Sequence, residues 1–97
     1  MTMFDFDPAK DELTRASRGF GFVFAARIFA GHTVERVDRR FDYGEERIVA
    51  LGRVGEDTLA VVYTWRKAED GAPLRWIISA RLANRKERKI HASFFPG

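Results

Sequence analysis

Between Glu46 and Leu82 the chain holds three segments of strand-like alternation joined by two short turns, and no other feature constrains its fold as much. Successive side chains of a strand point to opposite faces, so each segment sorts into two sets. In residues 46–53, Glu46, Ile48, Ala50 and Gly52 oppose Arg47, Val49, Leu51 and Arg53. In residues 59–66, Leu59, Val61, Tyr63 and Trp65 oppose Ala60, Val62, Thr64 and Arg66. In residues 74–81, Leu74, Trp76, Ile78 and Ala80 oppose Arg75, Ile77, Ser79 and Arg81. The turns, "VGED" and "AEDGAP", put Gly and Asp where tight reversals need them. Three such segments in succession predict an antiparallel meander.

The flanks predict helices. "MFDFD" (Met3 to Asp7) alternates as a short edge strand, and Asp7-Pro8 then reads as an N-cap followed by Pro at the first helical position. Ala9, Leu13 and Ala16 form a narrow apolar stripe on a mostly exposed helix that Gly19 can end. Phe22, Ala25, Ala26, Phe29 and Ala30 follow helical spacing on a second helix that packs on the core and stops at Gly31. "HTVERV" is a further strand, followed by a loop around "DYGE". Asn84, with Glu87 three residues on, resembles a capping box and opens a last helix reaching about residues 91–92. The order β-α-α-β-β-β-β-α defines an α+β domain over residues 1–97. It has a small central antiparallel sheet, two N-terminal helices and one C-terminal helix.

Composition fits one folded domain: 97 residues, 45% hydrophobic and 32% charged, with nine Phe and two Trp to fill a small core. Without cysteine the chain has no disulfides and no thiolate metal ligands, which suits a reducing compartment. "MTMFDFDPAK" lacks the apolar region of a secretory leader, and no window approaches the roughly 20 apolar residues of a membrane span. The expected location is the cytoplasm, with no membrane partner. Charge is uneven. Residues 1–14 carry four acidic side chains against one basic, whereas residues 71–97 carry six basic against one acidic. Arginine outnumbers lysine, and its planar fork grips phosphate through two bonds where lysine acts as a point charge. An anionic partner follows, RNA first among the classes.

If helices cover one face of the sheet, the other would gather Arg53, Arg66, Arg75 and Arg81 around a shallow cleft. The plainer alternative is that each decorates solvent or pairs with a neighbouring carboxylate. RNA cleavage without metal needs a base for the 2′-hydroxyl and positive charge on the phosphate. Arginine serves the second need. Glu46, beside Arg47 at a strand start, is the carboxylate suited to the first, or else it closes an ion pair across the sheet. His32 and His91 lie at a strand start and near a terminus, positions that suggest no catalytic part. The sequence holds no metal-ligand constellation, nucleophilic triad or phosphate-binding glycine loop, so no cofactor is expected.

Three motifs in order carry a resemblance. "FDFDPAK" resembles the Phe-Glu-Trp-Asp-Pro-x-Lys opening of the BrnT toxins. "GEERIVALGR" resembles their Gly-Glu-x-Arg…Gly-Arg strand, and "RWIISARLANRKER" their Arg-x-Ile-Ile-Ser-Ala-Arg-x-Ala…Glu-Arg ending. The likeness spans about Phe4 to Arg88. It implies a RelE-like fold, cleavage of cellular RNA that halts growth, and an antitoxin partner, BrnA, with a ribbon-helix-helix part. DNA would be met only through that antitoxin. The chain departs from the family at Thr14, Ser17 and Arg18, which replace an Asn, a Lys and a His, and at Phe6, which replaces a Trp. Arg18 keeps a charge but cannot titrate near neutral pH.

The reading of the sequence is therefore a type II toxin that cleaves RNA. Arg75 and Arg81 are expected to stabilise charge on phosphate, and Glu46 to act as base or orienter. Lys10, Arg18, Arg53 and Arg66 would position RNA. The alternative is a degenerate relative that binds antitoxin, and RNA with it, without cutting.

Overall fold

The computed structural model describes residues 3–39 and 44–96; Asp42 and Tyr43, in the loop expected around "DYGE", lie outside the described residues. Strand β1 (Phe4–Phe6) leads into helix α1 (Pro8–Arg18). The Asp7 side chain accepts a hydrogen bond from the Ala9 N–H at 2.9 Å, Pro8 takes the first turn, and Gly19 closes the helix at φ 81°. That left-handed angle suits glycine, which has no Cβ to clash. No residue of α1 is buried, as its narrow stripe predicts.

The second helix departs from expectation. It is α-helical only over Phe22–Ala25 (α2) and tightens to a 3₁₀ helix over Ala26–Ala30. Three residues per turn bring Phe22, Ala25 and Ile28 to the core, whereas Ala30, placed there by the 3.6-residue spacing, is exposed. The 3₁₀ segment lies close on the sheet because Gly52 leaves room: a Cβ there would stand 2.6 Å from the Ile28 Cβ.

Strands β2 (Val34–Asp38), β3 (Arg47–Val54), β4 (Asp57–Lys67) and β5 (Pro73–Leu82) pair antiparallel in sequence, and β1 joins the free edge of β5 in parallel. The sheet order is β1-β5-β4-β3-β2. The sheet is thus mixed rather than wholly antiparallel, because α1 and α2 return the chain to the far side before the meander starts. Helix α3 (Arg85–Phe94) follows β5 directly, with the Asn84–Glu87 capping box formed in both directions, and runs a few residues beyond the expected end.

One face of the sheet packs against α2 and the 3₁₀ segment through Ala50, Val54, Leu59, Val61, Tyr63, Ile77 and Ala80, with Phe4 and Phe6 beside them. We call this the first face. The second face centres on Val49, Leu51 and Ala60 and meets α3 through the buried side chains of Glu87 and His91.

Candidate functional site

Strict alternation in β5 puts Arg75 and Arg81 on one face, but the structure places them on opposite faces. Ile77 pairs with Tyr63 and Ser79 with Val62, which leaves Ile78 as an extra residue without a partner. This β-bulge inverts the side-chain order beyond it. Ile77 and Ala80 consequently share the first face. Arg75 points to that face, and Arg81, opposite Ala60, to the second. With six residue steps between them on one strand, they stand about 20 Å apart. The single arginine cleft expected from sequence does not form.

Arg75 lies in an aromatic frame. Its guanidinium carbon is 4.2 Å from the ring centre of Phe29, 4.7 Å from that of Trp65 and 5.0 Å from that of Tyr63. The rings brace one another edge to face, Phe29 on Tyr63 at 5.4 Å and Tyr63 on Trp65 at 5.5 Å. A cation over π faces is attracted by their quadrupoles, so the rings hold the charge without neutralising it. The Arg75 Nε is buried with no hydrogen-bond partner. Among the described residues no carboxylate forms an ion pair with Arg75.

Tyr63 links this frame to a carboxylate on β2. Its hydroxyl donates a short hydrogen bond to Glu35 Oε1, and Thr33 Oγ1 donates to Glu35 Oε2 at 2.7 Å. Burial pushes the Tyr63 pKa up to about 12, with the bond to Glu35 adding to the rise and the neighbouring Arg75 opposing it. The phenol therefore stays protonated at neutral pH. Glu35 itself is exposed, and so is Trp65, at 47%. An oriented carboxylate, a neutral phenol, a fixed cation and an open indole thus meet at one place on the first face.

Arg81 is engaged differently. Its two terminal nitrogens donate to Glu87 Oε1 at 2.6 Å and Oε2 at 2.9 Å. The same Glu87 accepts from the Asn84 N–H at 2.9 Å, closing the helix cap. The Arg81 hydrogen bonds, helped by that backbone donor, hold the Glu87 carboxyl below the usual range despite its burial. Arg81 also walls a cleft of about 230 Å³ between α1 and the later half of β5, lined from α1 by Lys10, Leu13, Thr14, Ser17 and Arg18. Thr14, Ser17 and Arg18 thus line the same cleft as Arg81. The hydroxyls of Thr14 and Ser17 are turned to their own helix, donating to the carbonyls of Lys10 at 2.9 Å and Leu13 at 3.0 Å.

The remaining arginines are spread out. Arg66 lies over Trp76 at 4.4 Å and is exposed, at the other end of β4 from the residue opposite Arg81. Arg53 is exposed on β3, on the second face with Arg81. Glu46 is exposed just before β3, and its backbone carbonyl accepts from Thr64 Oγ1 at 2.8 Å. Among the described residues its carboxylate has no hydrogen bond or ion pair to orient it. The histidines are structural: His91 is buried with Nε2 3.1 Å from the His32 carbonyl oxygen, and His32 stacks on Phe95 at 4.7 Å. Among the described residues, no group of three His, Asp or Glu is placed to hold a metal ion, and no helix is long and apolar enough to cross a membrane.

Glu35, Tyr63 and Trp65 went unnoticed in the sequence. Alternation does put Tyr63 and Trp65 on one face, but only the pairing of Glu35 with Ala50 and of Ala50 with Val61 reveals that the carboxylate comes to the same place.

These features define a small α+β protein with a basic cleft between α1 and β5 and an aromatic-framed arginine on its sheet. The family profile described as the ribonuclease toxin BrnT of type II toxin–antitoxin systems matches residues 6–87, and the chain belongs to this family. That membership implies an RNA substrate and an antitoxin partner. No curated protein matches the chain.

Proposed function

We propose that the chain is a metal-independent endoribonuclease that cleaves cellular RNA and slows growth until a BrnA-like antitoxin with a ribbon-helix-helix part binds it. The toxin would work in the cytoplasm and meet DNA only through that antitoxin. The observation that carries this reading is the state of Arg75, a cation held by three rings with no paired carboxylate among the described residues. A charge fixed in advance stabilises a phosphorane-like transition state without reorganising. Lys10, Arg18, Arg53 and Arg66 are exposed and would guide the RNA backbone, while Arg81, held by Glu87, walls the α1–β5 cleft. A partner with acidic segments would mask the same charges, and such an association weakens as salt rises.

The test is incubation of the purified chain with single-stranded RNA in excess chelator. Cleavage leaving 2′,3′-cyclic phosphate and 5′-hydroxyl ends is expected, together with growth arrest on expression that the neighbouring gene product relieves. Cleavage that needs added metal would overturn the mechanism.

A second reading, partner binding without cleavage, is favoured by α1. Thr14, Ser17 and Arg18 replace the family's Asn, Lys and His, and the two hydroxyls are bonded to the helix itself. Salt-sensitive RNA binding with intact RNA after long incubation would select it.

A further inference from the structure

We propose that Glu35 is the general base of the cleavage, with Tyr63 as its positioning residue and Trp65 as the platform for a base next to the scissile phosphate. The proposal rests on the ribonuclease reading above and locates its reacting centre on the first face of the sheet.

Glu35 projects from the edge strand β2 into solvent, where a free side chain would sample many rotamers. Here both oxygens are held, one by the Tyr63 hydroxyl and the other by Thr33. A carboxylate has about four acceptor positions, so each oxygen retains a lone pair for a further donor. Tyr63, being protonated, donates to Glu35 and so keeps its carboxyl group aimed.

Arg75 completes the pair. Its guanidinium carbon lies 5.0 Å from the ring centre of the same Tyr63 whose hydroxyl holds Glu35, so the carboxylate and the guanidinium flank one side chain. In the proposal the ribose 2′-hydroxyl meets Glu35 while the non-bridging oxygens of its own 3′-phosphate meet Arg75. Trp65, half exposed and 4.7 Å from the guanidinium, offers a ring face on which an unpaired base can stack. No other exposed carboxylate among the described residues is bonded to a side chain that also touches Arg75.

The step balances within the RNA. Glu35 takes the proton of the 2′-hydroxyl, the 2′-oxygen forms a bond to phosphorus, and the bond from phosphorus to the 5′-oxygen breaks. The departing oxygen takes a proton from water, and Glu35 returns its own to solvent. The products are a 2′,3′-cyclic phosphate and a 5′-hydroxyl, with no net water, oxidant or cofactor used. The substrate class is single-stranded RNA, because a base paired in a duplex cannot lie on Trp65.

The experiment uses the full chain with a single-stranded RNA and its all-2′-deoxy counterpart, which can bind but cannot react. Glu35→Gln should lower kcat by about 10²–10⁴-fold, the usual worth of a positioned base, while binding the deoxy strand within about twofold of the parent. Glu35→Asp, a carboxylate of shorter reach, should keep part of the rate. Tyr63→Phe should lower kcat and leave deoxy-strand affinity unchanged, a split that mere loss of structure would not give. Trp65→Ala should weaken deoxy-strand binding by about 5–150-fold, the equivalent of losing one stacked base. A folded Glu35→Gln that cleaves at the parental rate overturns the assignment and leaves the ribonuclease reading standing. A parent that never cleaves fells both.

Discussion

Arg81 and Glu87 join the end of β5 to the first turn of α3 through two parallel hydrogen bonds, at 2.6 and 2.9 Å. Glu87 is only 8% exposed, and it also caps the helix. Removing its partner leaves a nearly buried carboxylate with the Asn84 N–H as its remaining hydrogen bond. Arg81→Ala should therefore cost about 1–3 kcal/mol in urea unfolding, less than a fully buried pair because solvent reaches the Arg81 side chain. Any loss of activity in that variant must be read after correction for the folded fraction.

The same pair sets an acid limit. The carboxyl of Glu87 is lowered on folding, so the folded chain holds its proton more weakly than the unfolded chain. The stability it contributes is fully present above the ordinary glutamate range and is lost as pH falls through the lowered value. Glu87→Gln should flatten that acid loss, measured as the urea midpoint between pH 6 and pH 3.

Tyr63 sets the opposite limit. Its pKa rises from 10.0 to about 12, so between these values the folded chain keeps a proton that the unfolded chain has released. Stability from this group is present below pH 10 and declines as pH climbs toward about 12. Tyr63→Phe should lack that share of the alkaline decline, seen by comparing the two chains from pH 9 to pH 12.

Gly52 tests the packing of the 3₁₀ segment. With a Cβ 2.6 Å from the Ile28 Cβ, Gly52→Ala should destabilise by about 1–3 kcal/mol, as overpacking does. Because the blocking atom belongs to the stem of Ile28, Ile28→Ala should fail to relieve it fully. Thermal unfolding of the double variant measures the coupling.

Catalysis divides the arginines. Arg75→Ala should lower the cleavage rate by about 10²–10³-fold, the usual loss of one preorganised charge. Arg27, stacked at 5.6 Å over Phe24 on the outside of the 3₁₀ segment, is the control, and Arg27→Ala should leave the rate unchanged.

Legibility followed range. The helix ends were readable because caps are local: Asp7 with Pro8, Gly19, and Asn84 with Glu87 each act within a few residues. Both faces of β3 and β4 were readable because alternation runs unbroken through them. In β5 it breaks at Ile78, where no glycine or proline signals the bulge, so alternation alone puts Arg75 and Arg81 on one face. The second helix tightened to 3₁₀ because close packing over Gly52 overrode helical spacing. Glu87 was legible as a cap and not as the partner of Arg81, since the pairing depends on how α3 turns back after β5 to pack on β3 and β2.

The unpaired Ile78 has a consequence for how such a chain can change over generations. Substitutions in β5 alter one side chain at a time, whereas removing Ile78 would restore unbroken alternation and turn one end of the strand over. Either Arg75 would leave its rings or Arg81 would leave Glu87, and the hydrophobic residues around it would turn to water with it. Mutations that shorten β5 by one codon should therefore vanish from functional libraries, even where almost any single replacement at Ile78 survives.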